Sequence, residues 1–447
     1  MPNDAWTTQT ERLDETESPM KKPLLIHNGI LIDPSQNLNR GGRLLLDRGV
    51  VAAIDPSDED IPEGCEVIDA AGCLVTPGFV DLGVELREPG FEEDETILSG
   101  SHAALAGGYT SILATSSTDP VIDSHGAVEF VRQKATQARG ARVHVVGCLS
   151  SGRAGKQMAE LGLLSEAGAV AFSDAPRAVP SDALLKRALE YCRMLDRPIF
   201  DHPEVPEMAS GGVMHEGQVS LVLGLKGLPT EAEDLAVARD VRLAEATDGR
   251  LHVGPVSTMG AVDMLRRVKS RGVVVTASAC PHNLMLNDTE MRSYESRFKV
   301  HPPLRSARHV ATLCQAVKDK TIDAIQSGHM PRSREKMMND LDQSPFGISS
   351  LETAMATAAT ALIRTGIMDW IELIDRMSTR PAQIVGLNAG TLGIGRPADV
   401  TIIDPNAGWK VEPTRFRSSC ISTPLAGMEL IGRVKHTIVG GELRFSV

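Results

Sequence analysis

Basic residues are the minority charge in this chain. Its 447 residues carry 46 Lys and Arg against 58 Asp and Glu, a formal net charge of −12 with a pI near 5.5. That balance argues against a nucleic-acid or anionic-membrane surface. Long apolar runs are missing too: none reaches the roughly 18–20 residues that span a bilayer. The N-terminus has no basic start followed by an apolar stretch, so no secretory leader is expected. Paired cysteines are also absent. Cys65, Cys73, Cys148, Cys192, Cys280, Cys314 and Cys420 stand at no Cys-x-x-Cys or metal-finger spacing. An odd number, so scattered, reads as reduced buried thiols in a cytoplasmic protein. There is no internal repeat and no low-complexity tract. What remains is a chain long enough for a large core and more than one domain, with 42% hydrophobic and 23% charged residues.

Residues 1–21 are polar and acidic and read as a flexible tail. Short apolar runs separated by turn signals follow at Leu24–Asp33, Arg43–Val50, Val51–Ile54, Cys65–Asp69 and Cys73–Thr76. Similar runs return at Asp399–Asp404, Gly432–Val439 and Glu442–Val447. They predict a small β-sandwich built from both chain ends, residues 22–76 and 390–447. Between them the rhythm changes. Eight short apolar strands, from Gly78–Val84 to Ala324–Ser327, alternate with amphipathic helices such as Ser181–Met194, Thr230–Thr247 and Ser350–Gly366. That pattern predicts a (β/α)8 barrel over 77–389, with functional residues at the C-terminal ends of its strands.

Residues 77–90 read Pro-Gly-Phe-Val-Asp-Leu-Gly-Val-Glu-Leu-Arg-Glu-Pro-Gly. This resembles the first-strand motif of dihydroorotases, in the amidohydrolase superfamily, whose pattern has His-x-His where this chain has Gly83 and Glu85. The resemblance runs through nearly the whole chain after residue 22. It is nearest the class found in complexes with aspartate carbamoyltransferase: Leu223-Gly224-Leu225, Glu233, Arg239-Asp240, Pro302-Pro303-Leu304-Arg305 and Gly390-Thr391-Leu392 all carry it. The resemblance implies a metal held by His-x-His, a bridging carboxylate or lysine and two later histidines, with an aspartate as proton relay. The metal would make a nucleophile of water near neutral pH, and the aspartate would pass its proton to the leaving nitrogen.

Five of those six positions are changed. Gly83 and Glu85 replace the first pair, Ala175 the bridging ligand, Pro255 a histidine and Gly328 the aspartate. His202 alone is kept. Arg87, the family's carboxylate-binding arginine, remains, and is equally well read as an ion-pair partner of Glu85 on the same strand face. Ser117 and His301 stand where the resemblance has substrate-contacting asparagines. Asp174 sits one residue off the ligand position, so its side chain is expected to point elsewhere. His144 and His252 read as satisfied structural histidines, and His282 as a hydrogen-bonded core or loop residue. The acidic run Glu92-Glu93-Asp94-Glu95 reads as a solvated face.

These readings predict a catalytically inactive homologue with no catalytic residue and no cofactor, acting as a structural or regulatory partner of aspartate carbamoyltransferase in pyrimidine biosynthesis within a homo- or hetero-oligomer. The alternative is a divergent cyclic-amide hydrolase with zinc at a rearranged site, Glu85 and His202 being its candidate ligands. A third reading is a self-assembling scaffold with no carbamoyltransferase partner.

Overall fold

The structure, a computed structural model, describes residues 22–447; the tail expected over 1–21 lies outside the described residues. The chain opens with β1 (Leu24–Asp33), β2 (Leu38–Asp47), β3 (Val50–Ile54), β4 (Glu66–Asp69) and β5 (Leu74–Pro77). β2 and β3 form a hairpin closed by Arg48 and Gly49, with φ of 49° and 79°. Two positive φ values match the twist of a tight hairpin turn. β2 begins five residues before the apolar run that announced it. Its early residues pair with β1 as far as Asp33 opposite Leu38. Asp33 sets that turn by accepting from the Ser35 N–H at 2.9 Å. Backbone pairing, not hydrophobicity, extends the strand, so the pattern could not report it.

The barrel follows: β6 (Phe79–Val84), β7 (Tyr109–Ala114), β8 (Arg142–Gly147), β9 (Ala169–Phe172) and β10 (Ile199–Asp201). An insert carries a small parallel pair that the pattern did not announce, β11 (Met214–His215) and β12 (Gly227–Leu228). Then come β13 (Leu251–Val253), β14 (Val275–Ala279) and β15 (Ala324–Ile325). The eight barrel strands are parallel and lie in chain order from β6 to β15. Hydrogen bonds close the ring between first and last strands: Asp81 accepts from the Ser327 N–H at 3.0 Å, and the Glu85 N–H donates to the His329 carbonyl at 3.0 Å. Val80, Leu82, Leu113, Val146, Ala171, Phe200 and Ala324 pack inside, with Ala382, Ile384 and Val385 plugging the lower end. The expected (β/α)8 barrel is therefore present, and it is a filled core rather than a pore.

The chain returns through β16 (Val400–Lys410), β17 (Glu429–Val439) and β18 (Glu442–Ser446). These extend one sheet in the order β18-β17-β16-β5-β1-β2-β3, with β4 on β1. The first half of β1 pairs with β4 and the second half with β5. The sheet surrounds a core of its own, including Ile26, Leu31, Leu44, Val51, Val75, Val400 and Ile438. β5 runs into β6 through Gly78, where a Cβ would lie 2.1 Å from the Thr110 hydroxyl oxygen; only glycine lets the two backbones pass so closely. Among the described residues no helix is long and apolar enough to cross a membrane.

Candidate active site

All six positions singled out for metal or proton transfer line one cavity at the C-terminal ends of the strands. Gly83, Glu85, Ala175, His202, Pro255 and Gly328 share it with Phe200, His252, His301, Gln326 and His329. Its volume is about 70 Å³, well below the roughly 300–1,000 Å³ of a small-molecule pocket.

On the β6 side the cavity wall is ionic. The buried Glu85 carboxylate accepts from Arg332 at 2.8 Å and lies 3.4 Å from Arg87. Burial opposes its charge, but the Arg332 and Arg87 guanidinium groups outweigh that and hold it below the usual carboxylate range. Arg87 also lies 3.4 Å from the fully buried Asp94, donates to the Ser117 carbonyl at 2.9 Å and stacks 4.2 Å over the Phe91 ring. Of its two readings, the internal ion pair is the one the fold builds. The expectation of a solvated Glu92–Glu95 is corrected here: Glu92 and Glu93 are exposed, but Asp94 and Glu95 are fully buried. Asp94 takes Lys336 at 2.9 Å and the Ser333 N–H at 2.8 Å. Glu95 meets His329 at 3.3 Å, the Ser419 N–H at 3.1 Å and the Ser418 hydroxyl.

His329 is committed on both nitrogens. Its Nδ1 accepts from the Ser350 N–H at 3.1 Å, which leaves the proton on Nε2 for Glu95. Asp174 points away from the cavity, as expected. It accepts from the Leu149 and Ser150 N–H groups at 3.0 and 3.1 Å. His252 bonds the Thr276 and Ser278 hydroxyls at 2.9 and 3.0 Å, and His144 bonds Ser111 at 3.3 Å. His282 departs from its reading: it is buried, yet its Nε2 has no hydrogen-bond partner. Burial pushes its pKa down to about 3.

The β10 side differs. His202 is 4% exposed, and neither ring nitrogen makes a hydrogen bond to a described residue. Burial and the neighbouring His301 push its pKa down to about 3, so it stays neutral with a lone pair available. Its ring stacks on His301 with centroids 4.6 Å apart, and His301 Nε2 lies 2.9 Å from Glu204. Among the described residues, His202, Glu204 and His301 are the one group of three donors near enough to hold an ion. The residues at the six positions assigned by resemblance do not fit the metal that the resemblance implies: four offer no ligand atom, and Glu85 is occupied by two arginines. Glu204 and His301 escaped the sequence reading as donors. The signal was present, a His-x-Glu at 202–204 and a histidine gained where the other changes are losses.

The frame residues explain why the resemblance persists around a changed site. Glu233 accepts from the Ser257 and Thr258 N–H groups at 2.6 and 2.9 Å, holding the segment after β13. Buried Arg305 donates to Ser257 and to the Leu228 carbonyl at 3.0 and 2.8 Å. Arg239 bridges the buried Asp201 and Asp240, each at 2.7 Å, and donates to the Val179 carbonyl. Removing any of these leaves buried groups unpaired, an expensive change. Removing a ligand that faces a cavity does not.

Residues 72–260 match the family model described as dihydro-orotase-like. A Rhodopirellula baltica relative named "Putative dihydroorotase" is 59% identical over 95% of this chain and 93% of its own length. A dihydroorotase of Pelobacter propionicus is 44% identical over 94% of this chain and 99% of its own. Among solved structures, the L-hydantoinase (dihydropyrimidinase) of Arthrobacter aurescens superposes with a TM-score of 0.84 at 24% identity, covering 94% and 95% of the two chains; it supports the fold alone. The barrel and two-ended sheet agree with the fold likeness, and the chain belongs to the dihydroorotase-like family of amidohydrolases.

Proposed function

We propose that this chain is a dihydroorotase homologue without dihydroorotase activity, serving pyrimidine biosynthesis as a structural partner of aspartate carbamoyltransferase. One observation carries the first half. Gly83, Ala175, Pro255 and Gly328 face the same cavity, and Glu85 beside them is neutralised by Arg332 and Arg87. Water in that cavity has neither the family's ligand set to acidify it nor the aspartate to take its proton. The small volume agrees with a pocket no longer shaped around a substrate.

The partner role is the part of the resemblance that needs no active site. Consecutive apolar residues Leu221 and Val222 are 83% and 73% exposed in the insert between β11 and β12. Such a pair offers an apolar contact for a partner. The test has two arms. Purified chain, supplied with zinc, manganese or cobalt, is assayed for dihydroorotate hydrolysis and for the reverse condensation of carbamoyl aspartate. We expect no turnover above a His202→Ala control; metal-dependent turnover lost in that control defeats the inactive reading. In the second arm the chain is mixed with the aspartate carbamoyltransferase of the same organism. Co-elution as one complex, weakened by Leu221→Lys, is expected, and a carbamoyltransferase that assembles and functions normally without this chain defeats the partner reading.

A further inference from the structure

We propose that His202, Glu204 and His301 form a divalent transition-metal site of the zinc class, displaced from the position that the family's ligands would occupy. The inference is independent of the proposed lack of activity.

Three observations converge. The ligand atoms, two imidazole nitrogens and a carboxylate oxygen, lie within 4.8 Å of one another. Ligands about 2.1 Å from a tetrahedral ion stand about 3.4 Å apart, so the set has at most about 1.4 Å to draw together around one. His202 is more than nine-tenths buried and directs an unpartnered imidazole into the cavity. That imidazole lines the cavity, where an entering ion can reach it. The third observation is the support behind the ligands. Asp201, next to His202, is fixed by Arg239 at 2.7 Å, and the Val205 N–H, next to Glu204, donates to the Ala232 carbonyl at 2.9 Å. The His301 ring is packed between His202 and Phe346, with the Phe346 centroid 5.0 Å away.

Two imidazoles and one carboxylate suit zinc or cobalt better than magnesium or calcium, which prefer all-oxygen sets. The ion would replace the direct His301–Glu204 hydrogen bond and leave a coordination position facing the barrel cavity, which His202 and His301 both line. Only His202 comes from the family's ligand set; Glu204 and His301 lie outside it.

Cobalt(II) titrated into the full-length protein tests this. The expected result is one equivalent bound, with the visible absorption of a four- or five-coordinate nitrogen–oxygen site. Glu204→Gln and His301→Asn should each weaken binding by more than about 100-fold, beyond the roughly 10–100-fold that follows loss of an outer-shell partner. Glu85→Gln should leave affinity unchanged. His301→Asn restores the residue of the family pattern and is expected to fold; its metal-free thermal midpoint checks that directly. Zinc should raise the midpoint of the unaltered chain and not that of His301→Asn. No binding by the unaltered chain overturns the proposal. So does binding that survives His202→Asn/Glu204→Gln/His301→Asn, or binding lost in Glu85→Gln but kept in Glu204→Gln.

Discussion

The β6 wall of the barrel mouth and its β10 wall line the same cavity and treat charge in opposite ways. At β6, Glu85, Arg87, Arg332, Asp94 and Lys336 form a continuous run of alternating charges, and His329 is tied between Glu95 and Ser350. At β10, His202 stands without a partner beside His301 and Glu204. A carboxylate left in a cavity must be neutralised, because burying an unpaired charge is far costlier than burying a neutral imidazole. Glu85 therefore required Arg332 and Arg87; a neutral histidine required nothing. The contrast teaches that two walls of one cavity can meet the cost of burial differently, one by pairing a charge with guanidinium groups and the other by keeping its donor neutral.

The largest expected effect breaks the ionic wall. Arg332→Met leaves the buried Glu85 carboxylate with the longer Arg87 contact as its charged partner. Loss of one partner from a buried pair costs about 3–5 kcal/mol, read as a lower urea midpoint. Glu85→Gln/Arg332→Met should recover most of it, because both charges then leave together. If the single variant loses less than about 1 kcal/mol, Arg332 is not what holds the buried Glu85 charge in place. No comparable penalty is expected for His202→Asn in metal-free protein.

The next effect is in pH. Glu95 is held down to about 2: burial raises it, but His329, Ser418 and Ser99 together outweigh burial. Its folded pKa is depressed, so its stabilisation is full above about 4.5, the unfolded value, and is lost as pH falls from there through about 2. The shift corresponds to about 3 kcal/mol. Glu352, whose carboxylate accepts from the Arg417 N–H at 2.6 Å, is pushed up by burial to about 7. It acts in the opposite sense: its contribution is full below about 4.5 and is lost as pH rises through about 7. Glu95→Gln should flatten the acid limb of stability against pH, and Glu352→Gln the limb between about 4.5 and 7. An acid limb unchanged by Glu95→Gln would sink the assignment.

These two groups also mark what was legible beforehand. Fold class, all eight barrel strands and the shared cavity of Gly83, Glu85, Ala175, His202, Pro255 and Gly328 could be read from periodicity and motif frame. Such signals are local, repeating every two or four residues along the chain. The burial of Asp94 and Glu95 could not be read. Their partners Lys336 and Ser418 lie 242 and 323 residues away, and nothing in a run of four acids tells which two face inward. Nor could the pairing of Arg332 with Glu85 be read, because it spans 247 residues. His301 was visible as an exchange from asparagine, but its meaning as a donor depends on Glu204 standing 2.9 Å away.

The smallest effects compare two glycines that share the cavity. A Cβ at Gly83 would meet only Gln326 Nε2, at 3.6 Å, and the backbone there is not left-handed. Gly328 has φ of 69°, and its Cβ would lie 2.6 Å from Cys280 Sγ and 3.0 Å from His282 Cε1. Gly83→Ala should therefore change stability by under about 0.5 kcal/mol, or add slightly by restricting the unfolded chain. Gly328→Ala should cost about 2 kcal/mol from left-handed strain and crowding. The difference, measured by denaturant titration, bears on reversibility. The first-strand position has room for a Cβ. At Gly328 the left-handed backbone and Cys280 leave no such room, so placing a longer side chain there requires moving the loop as well as changing the residue. Equal costs at the two sites would show instead that the loop after β15 yields easily, and that the pocket has kept the shape of a working one.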